Sequence, residues 1–99
     1  MPQPRVFQLN ANDAASRGEA LALCVRILEG GGVVVIPTDT VYGLACRADR
    51  AAAVQKIFTI KQRSPHHPLP LLVPRTKKPS DYFADEDEVL RRLLDRWWP

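Results

Sequence analysis

Residues 32–45, with the sequence GVVVIPTDTVYGLA, decide the fold of this 99-residue chain. Residues 33–36 are all β-branched, and no polar residue alternates with them, so they predict a strand that is buried on both faces. Pro37 has no amide proton for a ladder hydrogen bond, and we expect the strand to end there. The polar loop that follows lies at the carboxyl end of this strand, which is where α/β sheets bind ligands.

Apolar residues at helical spacing predict helices on both sides of this strand. The first helix spans residues 14–29, after side chains in residues 10–13 that suit a helix cap, and it ends at the glycines of residues 30–32. The second spans about residues 50–62, with Asp49 as its cap. Its predicted inner face consists of Val54, Ile57, Phe58 and, at its end, Lys61.

The remaining elements alternate with these two helices. A third helix begins at residues 85–87, and short strands are predicted at residues 5–9 and 69–73, the latter at a sheet edge because it contains Pro70. The resulting order of strands and helices predicts an α/β fold, with α+β as the alternative.

Composition limits the class of protein more than the activity. The chain has 14 Lys and Arg against 11 Asp and Glu, and a net charge of +3 permits a polyanionic partner without requiring one. Cys24 and Cys46 lack the spacing of a metal site. The start has no apolar segment of a secretory signal, and the longest apolar run is far too short to cross a membrane. We therefore expect a cytoplasmic protein with no membrane partner.

The loop after the central strand carries most of the chemistry. It offers three hydroxyls on Thr38, Thr40 and Tyr42, one carboxylate on Asp39, and the flexible Gly43. Hydroxyl groups orient a small polar substrate by hydrogen bonds. The loop is therefore a candidate binding site for such a substrate.

Two cations follow at the end of the second helix. Lys61 can neutralise a phosphate as a point charge, and Arg63 can do so as a planar fork. Together with the hydroxyl-rich loop they predict a site for a phosphate-containing substrate beside a small polar one. The alternatives are that the cations form an ordinary solvated pair at a helix end, that Tyr42 is a wall of the core, and that Thr40 only ties the loop to itself.

Two further patterns are better explained without a ligand. His66 and His67 are adjacent, point in different directions and have no third ligand nearby, so no metal site is predicted. The three glycines of residues 30–32 follow a helix and precede a strand. This is the reverse of the order in a phosphate-binding loop, so we interpret them as the end of the helix.

The segments PTDTVYGLAC (residues 37–46), IKQR (residues 60–63) and the following PL resemble the N-terminal part of the YrdC-like threonylcarbamoyl-AMP synthases. The resemblance runs from about residue 21 to residue 73, and faintly to residues 98–99. It implies a twisted mixed sheet with flanking helices. It also implies that residues 1–99 are the N-terminal portion of a single domain, incomplete at its C-terminal side.

The resemblance implies a nucleotidyltransferase of tRNA processing. Such enzymes join L-threonine, bicarbonate and ATP into threonylcarbamoyl-AMP and release pyrophosphate, for the threonylcarbamoyladenosine modification of tRNA. Mg²⁺ is expected with ATP. Transfer RNA or double-stranded RNA is a further candidate partner.

The resemblance also implies roles for individual residues, although it implies no acid or base and no metal ligand. Ser64 and His67 depart from the proline and asparagine that are common in the family. The L-threonine site would contain Thr40 and Tyr42, the ATP site Lys61, Arg63 and His67, and the loop would be shaped by Thr38, Asp39 and Gly43.

Family members run to about twice this length, and their later half supplies further substrate contacts. We therefore expect the 99-residue chain to be inactive by itself. An exposed strand edge and the tryptophan-bearing third helix also predict self-association. The alternative to the synthase is a non-catalytic module of the same fold that binds RNA or nucleotides. A truncated product without any activity is the third hypothesis.

Overall fold

A computed structural model describes residues 4–82 and 87–98 of the chain. The chain divides into two compact units, residues 1–68 and residues 69–99. The described elements of the first unit are α1 (Ala14–Glu29), β1 (Val34–Pro37), β2 (Tyr42–Ala45) and α2 (Ala51–Lys61); those of the second are a 3-10 helix (Pro79–Tyr82) and α3 (Glu88–Trp97). In the first unit two consecutive strands lie between two helices, and the predicted α/β class, a fold that mixes helices and strands, is confirmed.

Helix α1 has the predicted bounds, and its ends explain why. The Asp13 carboxylate accepts a hydrogen bond from the amide of Ala15 at 3.0 Å, which satisfies one of the free amides of the first turn. At the other end Gly31 has a φ of 80°. A Cβ on Gly32 would lie 2.6 Å from Ile27 Cγ2, so only glycine fits there.

Asp13→Ala should lower the free energy of unfolding of the 99-residue chain by about 1 kcal/mol, because the Ala15 amide loses its acceptor. Urea denaturation followed by circular dichroism measures this loss. Asp13→Asn keeps an acceptor oxygen at the same place and should lie close to the wild type. Equal losses in the two variants would contradict the capping role.

Strands β1 and β2 form a two-stranded antiparallel sheet within the described residues, with Val34 paired to Ala45 and Pro37 to Tyr42. The prediction that β1 is buried on both faces is wrong. Val34 is 8% exposed but Val35 is 61% exposed, since the side chains of a strand alternate and only one face of this sheet is covered. The strand ends at Pro37 as predicted, and Pro37 itself is its last residue, paired with Tyr42.

The other two predicted strands are wrong as well. Residues 5–9 and 69–73 have no regular secondary structure. Apolar and β-branched composition favours an extended chain, but a strand also requires a hydrogen-bonding partner, which composition does not reveal.

Helix α2 begins without the predicted cap. Arg50 is the residue before the helix and has no side-chain hydrogen bond to its first turn. The Asp49 carboxylate pairs instead with Arg47, at 2.9 Å to Nε and 2.6 Å to Nη2. Arg50 turns back toward α1, and its guanidinium donates to the Glu29 carbonyl at 2.8 Å. The two helices of the first unit are thereby joined.

The core of the first unit is small, and its residues come from β1 and α2. Val54, which was predicted on the inner face of α2, is half-buried, and Lys61 is exposed. The buried apolar residues of this unit are Val34, Ala53, Ile57 and Phe58.

In the second unit, Asp87 caps α3 by accepting from the Leu90 amide at 2.7 Å. Residues 85 and 86, the rest of the predicted helix start, lie outside the described residues. Pro79 is buried, and the Trp98 indole donates to the Lys77 carbonyl at 3.3 Å. None of the described helices is sufficiently long and apolar to cross a membrane.

Candidate functional site

The loop between β1 and β2 is a tight turn held by Thr38. The Thr38 amide donates to the Val41 carbonyl at 3.1 Å. The Thr38 hydroxyl accepts from the amides of Val41 and Thr40, at 3.1 and 3.4 Å, and itself donates to the Val41 carbonyl. A threonine hydroxyl that bonds to the backbone two and three residues later fixes a turn of this kind.

This turn leaves the other functional groups facing solvent. Thr40 and Asp39 are exposed, and the Tyr42 side chain, the first of β2, is 75% exposed. Tyr42 is therefore not a wall of the core of this chain. Gly43 lies opposite Ile36, and a Cβ there would meet the Thr38 methyl group at an ordinary contact distance of 3.6 Å.

The two predicted phosphate-binding cations lie on either side of the end of α2. Lys61 is the last residue of the helix, and Gln62 ends it with a left-handed backbone conformation. Both cations are exposed, and within residues 4–82 and 87–98 neither forms an ion pair. Their charges are thus available to a ligand.

A short turn follows Arg63 and carries both histidines. The amide of His67 donates to the Ser64 carbonyl at 3.0 Å, and the amide of His66 donates to the Ser64 hydroxyl at 3.3 Å. Both imidazoles are exposed. In the described parts of the chain no three His, Cys, Asp or Glu side chains come together as they would around a metal ion.

All of the predicted site residues lie in the first unit, but in two groups. The first is the turn at residues 38–43, and the second is the end of α2 with the following turn, residues 61–67. Among the residues that the structure describes, no hydrogen bond or ion pair joins the two groups. That both groups line one cleft stays a prediction.

Sequence reasoning missed two features of the segment between these groups. The hydrogen bonds from Arg47 hold the pKa of the Asp49 carboxyl below its usual range, so this carboxylate stays ionised and paired. Partial burial raises the pKa of the Cys46 thiol, which makes it a poor nucleophile at neutral pH. The arginine two residues before an aspartate was the available signal for the ion pair.

Residues 26–99 match the sequence model of the Sua5/YciO/YrdC family, which is described as "Telomere recombination". This match covers most of the chain and includes both groups of site residues. No solved structure matches the chain.

Among individual proteins, the chain is similar to several named threonylcarbamoyl-AMP synthase. It is 33% identical to the rat protein over 99 residues, which is the whole chain and 35% of the relative. It is 40% identical to the mouse protein over 81 residues, 82% of the chain and 28% of the relative. With the protein of Saccharophagus degradans the identity is 35% over 79 residues, 80% of the chain and 41% of the relative. The chain thus spans well under half the length of these relatives.

Proposed function

The chain belongs to the Sua5/YciO/YrdC family, and on that premise we propose that it carries substrate-binding elements of a threonylcarbamoyl-AMP synthase. The reaction joins L-threonine, bicarbonate and ATP into threonylcarbamoyl-AMP and releases pyrophosphate. The product serves the modification of tRNA to threonylcarbamoyladenosine. The rat, mouse and Saccharophagus degradans relatives are all named for this activity.

The observation that best supports the proposal is the exposed turn between β1 and β2. Thr38 uses its hydroxyl within the turn, whereas the side chains of Thr40 and Tyr42 are left exposed. A free hydroxyl and a phenol at fixed positions can bind the amino acid substrate by hydrogen bonds and by contact with its methyl group. In this proposal Asp39 and Gly43 help to shape the turn.

The nucleotide would bind at the end of α2. Lys61 and Arg63, which form no ion pair within the described residues, supply positive charge, the first on a flexible stem and the second as a fork that matches two phosphate oxygens. His67 lies in the next turn, four residues after Arg63, and in this proposal its imidazole adds a donor for the nucleotide. A triphosphate is the substrate group that this set of donors suits.

The chemical step requires positioning more than proton transfer. The amine of threonine and bicarbonate condense to a carbamate with loss of water. One carbamate oxygen then forms a bond to the α-phosphorus of ATP, and the bond from that phosphorus to the pyrophosphate oxygen breaks. A carbamate is already anionic and requires no general base. Lys61 and Arg63 would stabilise the negative charge that spreads over the phosphates, while the turn would orient the threonine.

Mg²⁺ is expected with ATP, and we assign no described residue as its ligand. Asp39 is the one carboxylate of the turn, and no acidic cluster accompanies it in residues 4–82 and 87–98. Mg²⁺ prefers one or two carboxylates together with phosphate oxygens and water.

Exchange of labelled pyrophosphate into ATP tests the proposal in the full-length protein. We expect exchange that requires both L-threonine and bicarbonate. Thr40→Val keeps the shape of the side chain but removes its hydroxyl, so it should raise KM for threonine by about tenfold to a hundredfold, the usual loss when a partner is left unpaired. KM for ATP should change little.

Thr59→Val is the matched control, because the Thr59 hydroxyl donates to the Gln55 carbonyl of its own helix, at 3.0 Å, and has no other partner among the described residues. It should leave both KM values near those of the wild type. Exchange that is independent of threonine would refute the proposal. RNA affinity that falls steeply with salt, without any exchange, would favour the non-catalytic binding module.

A further inference from the structure

Gln62 has a backbone conformation that is uncommon for its residue type. Its φ of 54° and ψ of 43° lie in the left-handed region, and among the described residues no other non-glycine residue has a positive φ. Glycine, and sometimes asparagine, usually occupies this position after a helix. Gln62 stands between Lys61 and Arg63, the two cations that the proposed function assigns to the nucleotide.

The conformation of Gln62 is held by backbone hydrogen bonds to the last turn of α2. The Gln62 amide donates to the Thr59 carbonyl at 3.2 Å, and the Arg63 amide donates to the Phe58 carbonyl at 3.1 Å. These are the two bonds of a Schellman motif. Since Phe58 is one of the few buried residues, the turn is attached to the core.

The turn changes the relation between the two cations. On a continuing α-helix, side chains two residues apart point about 200° from each other around the axis, because each residue turns by about 100°. Lys61 and Arg63 would then point to opposite sides of α2. Because Gln62 ends the helix between them, Arg63 leaves the helical path and is free to approach the side on which Lys61 lies.

We propose that Gln62 is a positioning residue, whose left-handed turn places Lys61 and Arg63 where both can contact one polyphosphate group. The proposal rests on the proposed nucleotide-binding role of this pair. It also gives a reason for the unusual conformation, because strained backbone is commonly retained where it orients functional groups.

Two substitutions at position 62 separate conformation from side-chain chemistry. Q62G removes the amide side chain and adopts the left-handed conformation readily, whereas Q62V carries a β-branched side chain that strongly disfavours it. Q55V is the matched control, because Gln55 is exposed inside α2 with a helical backbone. The doubly substituted K61A/R63A gives the affinity without the pair.

Affinity for tripolyphosphate and for ATP is measured by titration calorimetry on the full-length protein at constant ionic strength. Q62G and Q55V should bind as the wild type does. Q62V should bind about tenfold more weakly, since one of two charge-assisted contacts is lost. In the exchange reaction Q62V should raise KM for ATP and leave KM for threonine unchanged, a split that general destabilisation would not produce.

Equal affinities of Q62V and Q62G would overturn the proposal, as would a loss in Q55V as large as that in Q62V. A K61A/R63A variant that binds as tightly as the wild type would overturn it too. Failure of the proposed function looks different: the affinity pattern at position 62 would persist, but pyrophosphate exchange would not depend on threonine or bicarbonate.

Discussion

Phe58→Ala is expected to remove most of the stability of the first unit, and Ile57→Ala should be nearly as damaging. Truncation of a buried phenylalanine costs about 3–5 kcal/mol, and that of a buried isoleucine about 2–5 kcal/mol. Phe58 and Ile57 are 8% and 4% exposed, and only Val34 and Ala53 share the described core with them. With so few neighbours, repacking cannot fill the cavity.

The size of the unit makes these losses decisive. At about 0.05–0.15 kcal/mol per residue, a unit of this length has a total stability of roughly 3–10 kcal/mol. Urea denaturation followed by circular dichroism measures the change. Ile60→Ala is the control on the same helix, because Ile60 is 50% exposed and should lose much less. Similar losses for Ile57→Ala and Ile60→Ala would show that the core lies elsewhere.

Arg63→Ala should lower kcat/KM for ATP in the full-length protein by about a hundredfold, and Lys61→Ala should act similarly. Removal of a group that stabilises developing charge typically costs a hundredfold or more in rate. Arg63→Lys keeps the charge but loses the fork, so we expect it to recover only part of the activity.

Lys56→Ala is the control for net charge, because Lys56 is an exposed cation of the same helix. It should leave kcat/KM close to that of the wild type. Pyrophosphate exchange at several ATP concentrations gives these values. If Lys56→Ala were as damaging as Arg63→Ala, the effect would be one of overall charge and not of a specific phosphate contact.

Local signals in the sequence were sufficient for the bounds of α1 and for the cap of α3. Asp13 and Asp87 are capping residues directly before apolar stripes, and the structure uses both as caps. Glycines directly after residue 29 end α1 as expected. These features depend on interactions within a few residues, which is the range that periodicity and capping preferences describe.

The sheet could not be predicted equally well, because its burial depends on distant partners. Val35 has the residue type of a core strand, yet it is mostly exposed because none of the described residues of the first unit covers that face of β1. Asp49 has the residue type of a helix cap, yet Arg47 provides it with a charged partner at short distance. In both cases a competing or missing neighbour, and not local preference, determines the result.

The site residues show the same contrast between features that the sequence predicts and features that it does not. Thr40 and Tyr42 were identified from the motif and are exposed, and their role in binding stays a prediction. The conformation of Gln62 had only an indirect signal: Pro65, three residues later, indicates that the helix must end nearby. Glutamine itself gives no indication of a left-handed turn, because its side chain neither favours nor requires one.

The hydrogen bond from Arg50 to Glu29 affects how the first unit folds. The guanidinium lies at the negative end of α1, where positive charge is favourable, but it contributes nothing to the free amides at the start of α2. Helix α2 therefore has no side-chain cap at its N-terminus and depends on the burial of Ile57 and Phe58. We therefore expect α2 and the core to form and melt together as one cooperative unit. Helix α1 has its own cap and can retain helical turns in the denatured ensemble.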